Sequence, residues 1–286
     1  NNLIYRYKDY RENDFTKIIK VNSGSFGDIY NAYSIKDRLP VCLKMVSILK
    51  INLQYKDEKL NHYQNDLDNE IYNLKTLNNY NNSVKFLGVI DKINKKILVM
   101  EKCNLNLREF CELKGKFINS FEIRDKFSEL NKVFKKMQKE KIVHGNLKLE
   151  NFLIKFLDES QTDYIIKLDC FGFKKYIRAN NSFIVTKNDI YSFPPEIILR
   201  KTENHDRLND IFSLGIILYK LTNNLKHPFG NNDLEIYNKY KENYEKDNLI
   251  INFEKPVNKS LKDLIRKMIK LNPKNRLKWK EYFKHP

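Results

Sequence analysis

Val143-His144-Gly145-Asn146-Leu147-Lys148-Leu149-Glu150-Asn151-Phe152-Leu153-Ile154 is a polar loop with an apolar run on either side, and its reading decides the fold. Its central residue, Asn146, carries an amide. An amide accepts and donates hydrogen bonds but has no charge and no useful basicity, so it cannot take a proton from a substrate.

Upstream of this loop, from Phe15 to about Met100, short β-branched or aromatic runs alternate with turn residues and predict strands at Lys17 to Val21, Asp28 to Tyr33, Pro40 to Val46, Val84 to Ile90 and Lys96 to Met100. One helical stretch interrupts them, because Leu67, Ile71, Leu74 and Leu77 recur at spacings of four and three. After Met100 the pattern turns helical, at Leu107 to Leu113, Phe121 to Lys139, Asp210 to Thr222, Ile236 to Tyr244 and Leu261 to Ile269. A small β-rich lobe followed by a larger helical one emerges from pattern alone, with the join near Glu101-Lys102-Cys103-Asn104.

The chain has 286 residues, 41% of them hydrophobic and 13% aromatic, enough for a folded core and too apolar for a disordered segment. The longest apolar window, Leu214 to Leu221, is broken by Gly215 and Lys220 and is too short to span a bilayer. The first residues lack the basic-then-apolar layout of a signal peptide. Cys42, Cys103, Cys111 and Cys170 show neither C-x-x-C spacing nor a disulfide or zinc framework, so a reducing, cytoplasmic setting is expected. The net charge of +17 comes mostly from lysines spread along an asparagine-rich chain. Such spreading fits solvated helix faces better than a nucleic-acid surface, as in Lys132 to Lys139, where Val133, Phe134 and Met137 would face inward.

The opening stretch resembles the protein-kinase signature H-R-D-L-x-x-x-N, and other landmarks follow in order. Asn22-Ser23-Gly24-Ser25-Phe26-Gly27-Asp28-Ile29 is similar to the glycine-rich phosphate loop with its first glycine replaced; taken singly it reads as a hairpin turn. Val41-Cys42-Leu43-Lys44 resembles V-A-I-K, and Glu70 the helix glutamate that pairs with that lysine. Alone, either would be an ordinary solvated surface residue. Pro194-Pro195-Glu196, Asp210-Ile211-Phe212-Ser213-Leu214-Gly215 and Asn272-Pro273-Lys274-Asn275-Arg276 resemble the family's structural motifs in the larger lobe. The resemblance implies an α+β, bilobal protein-kinase fold over residues 1–286, with an N-lobe at about 15–100, a hinge at 101–103 and a C-lobe at 104–286. It also implies that Met100 is the gatekeeper, that Glu101 to Cys103 hydrogen-bond adenine, and that Ile29, Cys42 and Leu153 sandwich the purine, although each could equally be plain core. Glu196 would pair with Arg276, and Asp210 would anchor the catalytic loop. Cys170-Phe171-Gly172-Phe173-Lys174-Lys175-Tyr176 is similar to the variant seen in Unc-51-like serine/threonine kinases, and Lys148 is the serine/threonine form.

The departures fall on the chemistry. A kinase uses one carboxylate to orient the substrate hydroxyl and accept its proton, and another to hold Mg²⁺ against the phosphates. Asn146 stands at the first position and Cys170 at the second, where a thiol is a poor ligand for a hard cation. Asn151, the remaining metal position, offers a weak amide oxygen. Asp169 directly precedes Cys170, but strand alternation would point it to the opposite face. Gly145 replaces the arginine that receives a phosphorylated activation loop. Asp189 falls where a hydroxyl normally bridges to Lys148, and is expected to pair with that lysine. Together these residues imply a pseudokinase that binds ATP, if at all, with little dependence on Mg²⁺ and acts on a protein partner such as an active kinase or signalling complex. The alternatives are a weak or unconventional ATP-dependent serine/threonine kinase, or a polyanion-binding module if the lysines converge on one face.

Overall fold

A computed structural model describes residues 7–23, 27–47, 60–114, 119–169, 178–179, 182–183, 190–201, 207–247 and 249–286. The chain is α+β and divides into two compact units, Asn1–Asn104 and Leu105–Pro286.

The small unit is built on five antiparallel strands, β1 (Phe15–Ser23), β2 (Gly27–Ser34), β3 (Leu39–Ser47), β4 (Phe86–Lys92) and β5 (Lys95–Glu101), in the spatial order β1-β2-β3-β5-β4. Alternation along β3 sets its two faces. Val41 and Leu43 point into a buried cluster with Tyr10, Phe15, Ala32, Ile90, Ile97 and Val99. Cys42 and Lys44 therefore point the other way. Helix α1 (Leu60–Leu77) buries Leu67, Ile71, Leu74 and Leu77, the stripe expected from their spacing. Each such side chain contributes roughly 1.5–3 kcal/mol of burial.

In the large unit, helix α2 (Leu107–Lys114) precedes α3 (Ser120–Lys139), which starts where the Asn119 side chain accepts the Glu122 N–H. Ile123, Phe127, Leu130, Val133, Phe134 and Met137 form its buried stripe, so the inward residues of the lysine-rich run are those the pattern indicates. After a short helix α4 (Pro195–Ile198), α5 (Arg207–Thr222) is buried on all sides from Asn209 to Thr222, which explains its nearly unbroken apolar sequence. Helices α6 (Asp233–Asn243), α7 (Lys259–Met268) and α8 (Trp279–Tyr282) follow.

Two features lie outside the sequence pattern. The helix-rich region after Met100 also carries a small antiparallel sheet, β6 (Leu105–Asn106), β7 (Phe152–Phe156) and β8 (Tyr164–Leu168). The strands β7 and β8 are five residues each, too short for their alternation to stand out beside the long helical stripes. Asp169 also lies one position beyond the end of β8, so strand alternation does not govern its direction. Its backbone N–H donates to the Asn151 carbonyl at 2.9 Å.

Candidate functional site

In the small unit, cross-strand pairing brings Ile29 opposite Lys44 and Cys42 opposite Met100, which sets all four on one face of the sheet. Over that face α1 supplies Glu70. The Lys44 ammonium lies 2.5 Å from Glu70 Oε1, with both side chains largely shielded from water. A buried, charge-assisted contact of this kind fixes the lysine in one orientation. Gly27, opposite Val46, is dictated by contact: a Cβ there would stand 2.0 Å from the Met45 carbonyl oxygen. Gly24 lies outside the described residues. Met100 is buried at the end of β5, and the next N–H, that of Glu101, donates to the Lys85 carbonyl at 2.9 Å while Glu101 Oε1 accepts from the Lys85 N–H at 2.8 Å. The Glu101 N–H is thus committed within the protein, and a purine would have to use other backbone groups. Cys103 is partly buried and in no disulfide.

In the large unit, α5 carries the anchor of the catalytic loop. The two oxygens of Asp210 accept the N–H groups of His144 and Gly145, each at 2.8 Å. This carboxylate works because it is buried in the first turn of α5, where it also meets the positive end of the helix dipole. His144 adds a second brace. Its Nδ1 accepts the Asn146 N–H at 3.3 Å, which leaves the ring proton on Nε2 to donate to the Asp169 carbonyl at 3.0 Å. Burial pushes this imidazole down to about 4, with the bond to Asp169 opposing part of the fall, so the ring is neutral. Gly145 has φ +72, a region glycine enters without strain.

The loop so held presents Asn146. Asn151 donates from Nδ2 to the Asn146 carbonyl at 2.7 Å, leaving Oδ1 as its acceptor. Leu153, next along on β7, is partly buried, whereas its neighbours Phe152 and Ile154 are buried on the opposite face. Cys170 and Asp189 lie outside the described residues, as do Phe171 and Gly172. Among the described residues, no group of three or more His, Cys, Asp or Glu side chains is arranged to hold a metal ion. The donors at the three positions that matter are two amides and a thiol, a poor match for Mg²⁺, which prefers hard, charged oxygens. No metal-dependent step follows from this set. What the loop can do is hold an amide in a fixed place, where it can hydrogen-bond a hydroxyl but not deprotonate it.

Glu196, at the start of α4, meets Arg276 in a buried two-bond pair, as its motif implies. One feature belongs to no motif. Lys220 interrupts an apolar run, and a lone cation within the buried stretch of a helix is a signal in itself. It lines a cavity beside the catalytic loop, together with Lys148, Arg108 and His227.

The family model of the protein kinase domain matches residues 15–286. The chain is 28% identical over 276 residues to "Probable serine/threonine-protein kinase nek3" of Dictyostelium discoideum, covering 92% of this chain and 22% of that protein. It is 27% identical over 281 residues to serine/threonine-protein kinase unc-51 of Caenorhabditis elegans, covering 96% and 31%. Against serine/threonine-protein kinase atg1 of Aspergillus oryzae the identity is 22% over 315 residues, covering 94% and 32%. The chain therefore spans less than a third of the length of each of these relatives. No helix among the described residues is long and apolar enough to cross a membrane.

Proposed function

Because the chain belongs to the protein kinase domain family, we propose that it is a pseudokinase, with phosphotransfer absent or severely impaired, serving as a scaffold or allosteric regulator of a protein partner in a reducing compartment. One observation carries the reading. Asp210 and the His144 ring hold the backbone of the catalytic loop, and Asn151 ties its centre, yet the side chain delivered there is the amide of Asn146. A scaffold kept without its base is what a fold retained for binding would look like. The loss of a base and a metal ligand removes several kcal/mol of transition-state stabilisation, each factor of ten being about 1.4 kcal/mol.

The Lys44–Glu70 contact supports a nucleotide role, with ATP phosphates held by Lys44 and little help from a divalent metal. The same contact, with Lys148 and Asn151, favours the second reading, a weak serine/threonine kinase; the names of the relatives point the same way. The Cys170-Phe171-Gly172-Phe173 run supports an Unc-51-like placement within the family.

A thermal-shift titration with ATP, with and without Mg²⁺ and Mn²⁺, run beside a phosphotransfer assay of the wild type and of Asn146→Asp/Cys170→Asp, tests the proposal. The expected result is a metal-independent shift with no transfer by the wild type. Robust wild-type transfer that requires a divalent metal would overturn it.

A further inference from the structure

The positive charge of the chain is uneven along its length. The last 32 residues, 255–286, hold eleven Lys and Arg against two acidic residues, so +9 of the net +17 falls there. Packing closes this segment against α3. The Phe134 and Trp279 rings lie 5.3 Å apart, and the Lys135 ammonium sits 5.4 Å from the Phe283 ring. Lys280 and Lys284, three residues before Phe283 and one after it, are exposed beside that contact.

Helix α3 adds a row of its own. Phe121, Arg124, Ser128, Lys132, Lys135 and Lys139 recur every three or four residues and are all exposed, so they form one line along the helix, turned away from its buried stripe. From Arg124 to Lys139 the line runs about 22 Å at the helical rise. The acidic residues of α3 stay off it, and two of them are engaged elsewhere: Glu122 accepts from the Tyr164 hydroxyl and Glu140 pairs with Lys136. Among the described residues, none of Arg124, Lys132, Lys135, Lys139, Lys280 and Lys284 has a carboxylate within ion-pair reach. Six unanswered cations on one face repel one another, and a polyanion laid across them relieves that repulsion.

The kind of polyanion follows from the arrangement. An acidic peptide must place its carboxylates at intervals set by its own sequence, whereas a nucleic acid carries a charge at every residue and matches a continuous row of cations. A charged bilayer would attract the same lysines, but firm seating needs apolar side chains to insert, and the line carries a single one, Phe121. That ring is 81% exposed and lies in series with the cations. Cations that follow phosphates, with a ring on which a base can stack, are the means by which single strands are held. The preponderance of lysine, a point charge without arginine's two-bond fork, suits phosphate contacts that do not read sequence. We infer that α3 and the C-terminal segment form a binding face for single-stranded nucleic acid, with the six cations on phosphates and Phe121 on a base. The inference does not depend on whether the chain transfers phosphate itself.

The test measures the fluorescence anisotropy of a labelled oligothymidylate of about 16 nucleotides titrated with the full chain at several salt concentrations. The logarithm of the affinity should fall with that of the salt concentration with a slope of about −4, each of six contacts contributing about 0.7. Lys132→Gln/Lys135→Gln/Lys139→Gln should make the slope shallower by about 2 and weaken binding by about tenfold or more. Lys17→Gln/Lys92→Gln/Lys241→Gln removes the same charge from exposed positions off this face and should leave both unchanged. Phe121→Ala should weaken binding by about fivefold or more at an unaltered slope, since stacking releases no counterions. Acylation of the wild-type lysines, read by mass spectrometry, gives a check that needs no variant: the oligonucleotide should protect Lys132, Lys135 and Lys139 and leave Lys17 reactive. Equal losses in the two triple variants, or affinity indifferent to salt, would overturn the face. Polyglutamate competing as well as the oligonucleotide, or phosphatidylserine vesicles binding more tightly, would overturn nucleic acid as its occupant.

Discussion

Arg276 and Glu196 meet as a planar fork, Nη1 lying 2.7 Å from Oε1 and Nη2 2.9 Å from Oε2, and neither side chain reaches solvent. The guanidinium also donates to the carbonyls of Lys270, Leu208 and Leu271 and lies 4.8 Å from the Phe212 ring. Arg276→Met would leave a buried carboxylate without its cation and three carbonyls without a donor. Urea denaturation should show a loss of about 3–5 kcal/mol. Arg276→Lys should recover only part of it, because an ammonium cannot reproduce the fork. Pairing Arg276→Met with Glu196→Leu should recover the charge contribution and leave the carbonyl contribution unrecovered.

His144 links stability to acid. Its pKa falls from 6.5 in the unfolded chain to about 4 in the folded one. Between those values the unfolded chain binds a proton that the folded chain refuses, so stability is complete above pH 6.5 and is lost as pH falls toward 4. The shift corresponds to a loss of about 2 kcal/mol between about pH 7.5 and 5. His227, depressed in the same direction by burial, adds to it. Denaturation curves across this range should slope less steeply for His144→Gln than for the wild type.

Much of this site could be read in the sequence because its parts are local. The Lys44 strand alternates with period two, Glu70 lies on a helical stripe, and His144 to Asn151 are contiguous. Asp210 could be assigned only through resemblance, since its contacts with His144 and Gly145 join residues 65 and 66 positions apart. The cavity around Lys220 was illegible for a related reason. Arg108, Glu150, Tyr191 and His227 come from four separate segments, and no periodicity relates them. The cation in the apolar run was visible; what it faced was not. The small sheet β6-β7-β8 escaped because five-residue strands resemble any short apolar run.

Gly27 and Gly145 should both lose stability to the same substitution, for different physical reasons and Gly27 the more. A methyl group at Gly27 would sit 2.0 Å from the Met45 carbonyl oxygen, on backbone that the β2-β3 ladder holds in place. Gly27→Ala should therefore cost at least about 1–3 kcal/mol as an overpacking defect. Around Gly145 a Cβ would meet nothing within 4 Å, and only its φ of +72 resists a side chain. Gly145→Ala should cost only about 1–2 kcal/mol, the penalty for left-handed backbone. Thermal melts of the two variants give the comparison directly.

Lys220 should be a residue whose removal stabilises the fold. Burial, with the nearby Arg108, holds its ammonium down to about 8, Glu150 opposing, whereas the unfolded chain keeps it near 10.5. Among the described residues, the titratable groups that line the cavity with it are Tyr191, His227, Arg108, Glu150, Lys148 and Lys226. Below pH 8 the folded state bears the whole cost of a desolvated charge. As pH rises from 8 to 10.5 the unfolded chain holds the proton more tightly, so wild-type stability rises through that window. Lys220→Met should be more stable than the wild type by about 1–3 kcal/mol at pH 7, less what is lost with the bond to Tyr191, and the gain should vanish above pH 10.5. A wild type more stable than Lys220→Met at pH 7 would contradict this.

The last prediction separates two roles of Lys44. Lys44→Met removes the cation 2.5 Å from Glu70, a carboxylate with no solvent-exposed side-chain surface, and the fold should lose about 3–5 kcal/mol. Loss of ATP binding in that variant would be ambiguous, since a destabilised domain binds poorly whatever the lysine does. Lys44→Met/Glu70→Leu takes away both charges and restores apolar packing beneath α1, so most of the stability should return. If Lys44 holds phosphates, the double variant is well folded and still shows no thermal shift with ATP. If the lysine serves only to hold α1 on the sheet, the shift returns with the stability. Denaturation and thermal-shift measurements on the same three proteins, with Glu70→Leu as a fourth, distinguish the outcomes, because ligand stabilisation scales with occupancy of the folded state and is read at fixed ATP concentration.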